Sequence, residues 1–227
     1  GVFYKLSYKL KRWRYSDRAK GTPLQPLYQH TPVQASRKIL DTRFLVLDCE
    51  MSGLEVASDR LLSIGWVAIE HGRIVNATAK HLLIQSVEGA GESSRIHGLH
   101  DSSLAGANSI AAVLMLLIRQ VPDTVLVFHH AGLDIRFIQK AMVENFRCPI
   151  LFPYVDTMQI ERRRLKLQGK TSGLRLAQCR ERYGLVSGGQ HNALADAQAT
   201  AELFLAQLSY IGKQQNLKLS DLGIASS

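Results

Sequence analysis

The chain has 227 residues, of which 46% are hydrophobic, and its 28 Lys and Arg against 19 Asp and Glu give a net charge of +9. This composition excludes a wholly disordered chain and predicts one large domain, with room for an appendage. The positive excess favours an anionic partner, nucleic acid before an acidic membrane surface, although a basic protein without such a partner has the same composition.

The first 20 residues form a basic and aromatic segment, with seven Lys and Arg against the single acid Asp17. Residues 21–35 contain three prolines and predict an extended connector. We therefore treat residues 1–40 as an N-terminal extension. Its aromatic side chains either pack on the domain or contact the phosphates and bases of nucleic acid.

The remaining chain predicts strands and helices in an order typical of an α/β domain. Strands are predicted over residues 43–48, 60–70, 72–85 and 124–128, with a turn at Gly72. Helices are predicted over residues 108–120, capped by Asn108, and over 132–146, 156–168, 173–183 and 192–209. Strands followed by alternating helices and strands indicate a mixed sheet within residues 41–212, and residues 213–227 form a tail.

Three scattered cysteines, Cys49, Cys148 and Cys179, predict neither a disulfide framework nor a zinc site. They favour a reducing, cytoplasmic location. No apolar run reaches the ~18 residues of a membrane span, and no apolar segment follows the basic N-terminus as in a secretory signal. We therefore expect no membrane partner.

The first predicted strand ends in two carboxylates, in FLVLDCEMSGL at residues 44–54. Residues i and i+2 of a strand share a face, so Asp48 and Glu50 project together from the strand end. Adjacent carboxylates repel unless a cation lies between them, and hard oxygen ligands suit Mg²⁺ or Mn²⁺. By itself, this pattern is more often a solvated strand end.

Two later segments place further acids where helices begin. VLVFHHAGLDIRFI leads from a strand into a helix that carries Asp134, although an ordinary acid at a helix N-terminus would look the same. SGGQHNALADAQATAELF places His191 before a helix with Asp196 in its first turns. The two are about 140° apart around a helix, so we predict that His191 belongs to the loop.

Together, the three segments resemble the motifs of the DEDDh 3′–5′ exonucleases, which include the proofreading epsilon subunit of bacterial DNA polymerase III, RNase T and oligoribonuclease. The matching residues are Asp48, Glu50, Ser52 and Gly53, then 129–134, then His191, Asp196 and Ala197. The resemblance covers residues 43–209. Residues 95–99 (RIHGL) resemble the family's segment near the 3′-terminal nucleotide, and Asp156 is expected to be a structural cap.

The resemblance implies a ribonuclease H-like fold and the release of nucleoside 5′-monophosphates from 3′ ends. It implies that two Mg²⁺ or Mn²⁺ ions are bound by Asp48, Glu50, Asp134 and Asp196. His191 is then the general base, and Glu50 also orients the attacking water or the terminal 3′-hydroxyl. The implied substrate contacts are Met51, Ser52, Gly53, Leu54, His97 and His130.

Two departures from the family pattern concern the substrate. His130 and Leu133 stand where the second motif usually has Asn and Phe, and Met51 resembles oligoribonuclease. We expect the 3′ end of single-stranded or frayed DNA as substrate, with RNA processing as the alternative. The retained acids and histidine disfavour a non-catalytic binding module, and the charge and motif order disfavour a small-molecule metallo-hydrolase.

Two questions about partners stay open in the sequence. The short segment after the last helix favours a stand-alone nuclease, but a polymerase partner or a homo-oligomer is compatible with it. Residues 161–182 carry eight Lys and Arg against Glu161 and Glu181. This patch is either a solvated helical face or a phosphate contact, and a phosphate contact would make binding decrease with salt.

Overall fold

A computed structural model describes residues 1–86, 107–170, 172–186 and 188–227. Within these residues, one mixed sheet has the strand order β3-β2-β1-β4-β5-β6. The strands are β1 (Arg43–Met51), β2 (Leu61–Glu70), β3 (Arg73–Leu83), β4 (Thr124–Phe128), β5 (Pro153–Asp156) and β6 (Ala225–Ser226). β1, β2 and β3 pair antiparallel, whereas β4 joins β1 and β5 joins β4 in parallel. The predicted α/β class with a mixed sheet is confirmed.

Helices flank this sheet. They are α1 (Val2–Ala19), α2 (Gln25–Gln29), α3 (Ile110–Gln120), α4 (Ala131–Phe146), α5 (Thr157–Leu167), α6 (Leu176–Glu181) and α7 (Ala193–Ile211). Short 3₁₀ turns occur at Ile39–Asp41, Gln214–Asn216 and Leu219–Leu222. No described helix is both long and apolar enough to cross a membrane. All three cysteines are buried and free.

The N-terminal segment differs from its prediction as an extended connector. Residues within 21–35 form the short helix α2, because Pro26 lies in its first turn, where the missing N–H breaks no helical hydrogen bond. Before it, α1 buries Tyr4 and Tyr8 against the domain. The packing interpretation of these two aromatic side chains is therefore correct, while Phe3 and Trp13 remain exposed.

The predicted cap of α3 is also wrong by one residue. Ser109 accepts a hydrogen bond from the Ala112 N–H at 3.2 Å, so Ser109 is the N-cap. Asn108 instead pairs through its backbone with the end of β3, where its N–H donates to the Leu83 carbonyl. Asn108, which the local sequence pattern predicted as the cap, is thus paired with β3 instead.

The centre of the sheet positions the site. Phe44 to Leu47 of β1 are at most 1% exposed, between β2 on one side and β4 on the other. Helix α7 packs across β1 and β2, and α4 begins shortly after β4 ends in the chain. The ends of β1 and β4 and the start of α7 therefore meet at one rim of the sheet.

Candidate active site

β1 delivers the first two carboxylates to this rim. Asp48 pairs with Gly65 of β2, and Glu50 pairs with Ser63. The Ser63 hydroxyl donates a hydrogen bond to Glu50 Oε2 at 3.0 Å, which fixes the orientation of this carboxylate. The alternation of β1 thus places Asp48 and Glu50 on one face, as predicted.

Asp134 lies in the first turn of α4 and is only 6% exposed. The backbone N–H of Cys49 donates to Asp134 Oδ1 at 3.0 Å, so β1 and α4 are joined at the site. Burial raises the pKa of Asp134 to about 7, and the Cys49 N–H opposes this increase because it stabilises the anion.

The start of α7 contributes the last carboxylate. Asn192 caps this helix by accepting from the Ala195 N–H at 2.8 Å, so His191 lies in the preceding loop, as predicted. His191 is exposed, whereas Asp196 is half-buried. Burial raises the pKa of Asp196, and the nearby His191 opposes the increase.

The four acids influence one another electrostatically. Burial is the main cause that raises the pKa of Asp48 to about 9, and the negative charges of Asp134, Asp196 and Glu50 add to it. In the described part of the chain, no Lys, Arg or His forms an ion pair with any of the four. Uncompensated negative charge among hard oxygen donors is the chemistry that a divalent cation neutralises.

These donors fit a divalent cation in kind, but they do not form a ready ligand set. Among the described residues, no three His, Cys, Asp or Glu side chains are arranged so that they could already hold one ion.

A cavity of about 480 Å³ opens beside the acids, which is large enough for a nucleotide-sized group. The residues that line it include Asp48, Arg180, Gly188, Gly189, His191 and Asp196. Two carboxylates, an exposed histidine and a glycine-containing loop therefore face one space. Carboxylate oxygens, which are donors for hard cations, and an imidazole, which is a proton acceptor, therefore lie around the same cavity.

A family model described as exonuclease (RNase T) matches residues 45–204, more than half of the chain. The matched span contains the four carboxylates and His191. The chain belongs to this exonuclease family. The predicted superfamily, fold and 3′–5′ exonuclease domain are thereby confirmed, and the family depends on divalent metal ions.

Known members differ in size from this exonuclease chain. DNA polymerase III PolC-type of Thermotoga maritima is 33% identical over 183 residues, which cover 80% of this chain and 13% of the relative. DNA polymerase III subunit epsilon of Aquifex aeolicus is 28% identical, and the match covers 74% of this chain and 81% of the relative. The chain thus spans a small part of the PolC-type relatives and most of the epsilon subunit.

The fold of the exonuclease domain also appears among solved structures. E. coli exonuclease I in complex with single-stranded DNA superposes with a TM-score of 0.59 at 17% identity, over 75% of this chain and 41% of that chain. The complex of exonuclease I with a dT13 oligonucleotide gives a TM-score of 0.56. At this identity, the likeness shows the shared fold.

The segment after Glu50, predicted to contact substrate, folds into a tight loop. Ser52 Oγ donates to Asp59 Oδ1 at 3.0 Å and accepts from the Arg60 N–H, so its hydroxyl is engaged within the loop. A Cβ on Gly53 would overlap the Asp59 carboxylate, so a larger residue here would require the Asp59 side chain to move. Met51 packs partly against the core, whereas Leu54 is 77% exposed.

The second motif contains one structural and one exposed histidine. His129 has its Nδ1 2.8 Å from Thr157 Oγ1 and its Nε2 2.8 Å from the Leu174 carbonyl, and burial lowers its pKa. His130 is exposed in the turn before α4, with a left-handed backbone at φ 67°. Asp156 accepts from the backbone N–H groups of His130, Ala131 and Met158. Asp156 is thus the structural cap that the sequence indicates.

The residues expected to contact substrate lie in different parts of the structure. His97 lies outside the described residues. His130 is at the rim but does not line the cavity with Asp48 and His191. Contacts of Met51, Ser52, Gly53, Leu54 and His130 with a substrate strand therefore stay predictions.

Two residues that the motifs do not contain organise the site. A Cβ on Gly65 would overlap backbone atoms of Ala193 and Leu194, so a glycine is required where α7 crosses β2 beside Asp48. An isolated glycine within an apolar strand signals such a close approach of another backbone.

The second such residue is Arg180, which is 7% exposed. It donates to the carbonyls of Val186 and Ala199 at 2.9 and 2.7 Å and pairs with Glu202 at 3.1 Å. It thereby ties the loop before His191 to α7. In the sequence, Arg180 is indistinguishable from the other basic residues of its patch.

Proposed function

We propose that the chain is a metal-dependent 3′–5′ exonuclease that releases nucleoside 5′-monophosphates from the 3′ ends of single-stranded or frayed DNA. The observation that carries the proposal is the convergence of Asp48, Asp134 and Asp196 with His191 from three separate segments at one rim of the sheet. DNA is favoured over RNA because DNA polymerase III proteins are among the relatives and exonuclease I is solved with single-stranded DNA.

The carboxylates would hold the catalytic metal ions. We infer two Mg²⁺ or Mn²⁺, with Asp48, Glu50, Asp134 and Asp196 as ligands, because these cations prefer oxygen donors and two-ion sites suit phosphodiester cleavage. When bound, the ions would lower the pKa of the attacking water and stabilise negative charge on the phosphoryl group. The positive charge of the bound ions would also lower the raised pKa values of Asp48 and Asp134.

Side chains of the protein would supply proton transfer, positioning of the water and contact with the terminal base. His191 is exposed beside the cavity, so it would accept the proton of the attacking water as general base. Glu50, oriented by the Ser63 hydroxyl, would also position that water or the terminal 3′-hydroxyl. Leu54, with most of its surface exposed, would contact the terminal base together with Met51.

One digestion series tests the proposal. The unmodified chain should release mononucleotides from 3′-end-labelled single-stranded DNA in Mg²⁺ or Mn²⁺ and not in EDTA. Asp48→Ala and Asp196→Ala should reduce the rate by at least ~10³-fold, with an unchanged circular dichroism spectrum. Undiminished metal-dependent release by both variants would refute the site.

Matched RNA oligonucleotides in the same digestion series show whether the enzyme prefers DNA or RNA. Faster hydrolysis of RNA than of DNA would establish the RNA-processing alternative, which Met51 favours at the sequence level. A metal-free shift of oligonucleotide mobility without turnover would instead identify a binding module. We also infer a cytoplasmic location, in agreement with three cysteines that are free and buried.

A further inference from the structure

One face of α1 is attached to the domain. Tyr4 and Tyr8 are buried, and the Tyr4 hydroxyl donates to the Val33 carbonyl at 3.0 Å. On the same side, the Lys11 ammonium donates to the Ser226 carbonyl at 2.8 Å. These contacts fix an 18-residue helix in position and in rotation about its axis. The opposite face is consequently presented to the outside in one defined orientation.

That outer face carries a row of large apolar side chains. Phe3, Leu6, Leu10 and Trp13 are 88%, 64%, 59% and 79% exposed, and no described residue covers them. Their spacing of three, four and three residues is the a/d spacing of a heptad, the pattern that packs against one further helix. We call these four residues the α1 seam. Exposed apolar side chains in such a continuous row indicate an interaction surface.

The charges beside the α1 seam specify its partner. In the heptad frame of the seam, Lys9 occupies a g position and Arg14 an e position, and both are exposed. The only acid of α1, Asp17, is already paired with Lys20 at 2.7 Å. The flanks are therefore positive and complement a helix with acidic e and g positions. A second copy would bring like charges together, so self-association is disfavoured.

The α1 seam is also distant from the nuclease site along the sheet. α1 contacts β6, and Ser226 of β6 pairs with Pro153, the first residue of β5. The carboxylates lie at the opposite rim, where β1 and β4 end. A substrate strand in the cavity is therefore not the occupant that this position favours.

We propose that the α1 seam is a docking site for an amphipathic helix of a partner protein that carries acidic residues beside its own apolar seam. The site goes beyond the nuclease function and does not depend on it. Its role is to attach the exonuclease domain to another protein while the catalytic rim stays accessible.

Trp13 supplies a direct readout. The chain has two tryptophans, and the other, Trp66, is 2% exposed, so a binding-induced change in emission reports on Trp13. The first probe is a helical peptide of about three heptads, with Leu at a and d and Glu at e and g. The matched control has Lys at e and g. We expect a blue shift and weaker acrylamide quenching with the acidic peptide, which should bind about tenfold tighter than the control at low salt.

Two variants separate the contributions of the seam and its charges. Leu6→Asp with Leu10→Asp should reduce binding of the acidic peptide by at least ~10-fold, because charged groups replace the central apolar contacts. Lys9→Glu with Arg14→Glu should invert the preference toward the Lys-flanked peptide. Urea unfolding and nuclease rates should match the unmodified chain, because all four residues are exposed and lie away from the catalytic rim.

Other outcomes would overturn the proposal. Equal binding of both peptides, or binding unaffected by the Leu6 and Leu10 substitutions, would remove the seam as the docking site. A Trp13 shift with phosphatidylglycerol vesicles but with neither peptide would assign the face to a lipid surface. A shift with a single-stranded oligonucleotide alone would assign it to nucleic acid. Each result stands whether or not the chain hydrolyses DNA.

Discussion

Asp48 shows how a single residue balances folding against chemistry. It follows four buried apolar residues of β1 and shares its environment with three other carboxylates. Its pKa of about 9 means that the metal-free fold favours the protonated acid. Catalysis requires the ionised form, which binds metal. The same carboxyl group makes the metal-free fold less stable at neutral pH.

The pH dependence of the metal-free protein follows from this shift. A carboxyl group whose pKa is higher in the folded state stabilises the fold fully below its unfolded pKa, here 3.8, and loses this contribution as pH rises through about 9. The free energy of unfolding in EDTA should therefore fall between pH 5 and 9. Urea titrations should show that Mg²⁺ or Mn²⁺ restores it, most strongly at the higher pH; a pH-independent value would contradict the buried acid cluster.

Asp48→Asn isolates the contribution of this residue. The variant should lose nuclease activity, yet in EDTA at pH 8 its free energy of unfolding should increase by about 1–3 kcal/mol, since the folded state no longer has to keep a proton on a carboxyl group that is ionised in the unfolded chain. Glu181→Gln, at an exposed glutamate, is the matched control and should change stability by less than about 0.5 kcal/mol. A less stable Asp48→Asn protein would contradict the raised pKa of Asp48 in the folded state.

At the scale of elements, the position of α7 on the sheet decides whether the acids meet. Gly65 allows the backbone of α7 to approach β2, which brings Asp196 toward Asp48. Arg180 then holds the loop before His191 against the same helix. The general base and the last carboxylate thus depend on one helix position.

Gly65→Ala should displace the start of α7. We expect a loss of about 1–3 kcal/mol in the free energy of unfolding from overpacking. We also expect kcat to fall by ~10²-fold with a smaller change in KM, because a 1 Å displacement of catalytic groups has that effect. Gly132→Ala is the stability control, since a Cβ there meets open space and α4 should be as stable or more stable. Full activity of Gly65→Ala would show that α7 adapts.

Arg180→Ala should loosen the loop that carries His191. The carbonyls of Val186 and Ala199 lose their charged donor, so stability should fall by about 1–3 kcal/mol and kcat by about tenfold, measured by urea unfolding and steady-state kinetics. Arg180→Lys should recover part of the kcat, since it keeps a charged donor. Arg119→Ala, at an exposed arginine of α3, should alter neither. Equal loss in the Lys and Ala variants would argue against a positioning role.

At the scale of the whole molecule, the basic residues serve different purposes. Within residues 161–182, Arg164 and Arg182 approach the fully buried Glu161 at 3.5 and 3.6 Å, and Arg180 is itself buried. Arg163 donates to the Leu222 carbonyl. Half of this patch therefore stabilises the packing of α5, α6 and α7. The exposed members Arg162, Lys166, Lys170 and Arg175 are left for phosphate contacts.

Arg162→Ala, Lys166→Ala and Lys170→Ala together should weaken binding of single-stranded DNA. If all three contact phosphates, the slope of log K against log salt should become shallower by about two, at ~0.7 per contact. Fluorescence anisotropy in EDTA measures this without hydrolysis. Lys5→Ala, Lys9→Ala and Arg14→Ala remove the same charge from α1 and should leave the slope nearly unchanged. Equal effects of both triple variants would indicate attraction by net charge alone.

Much of the fold and part of the site could be predicted from the sequence. The strand alternation that joins Asp48 to Glu50, the meander turned at Gly72 and the helices that carry Asp134 and Asp196 are local patterns. Local patterns misjudged residues 21–35, where Leu27 and Tyr28 of α2 are buried in the core, and the cap of α3, where the N–H of Asn108 donates to the Leu83 carbonyl of β3. The role of Arg180 could not be predicted either, because the sequence does not show which carbonyls accept its hydrogen bonds.

The sequence by itself determined the family, the order of the strands and helices that carry the site and the residue types at the rim, because strand and helix periodicity and motif spacing are properties of short segments. Only the tertiary structure decided which charges meet. The bond between Cys49 and Asp134 joins residues 85 positions apart, and the pKa of Asp48 depends on acids from three other positions. Electrostatic interaction and burial depend on distance in space, and only the packing of α4 and α7 against the sheet sets those distances.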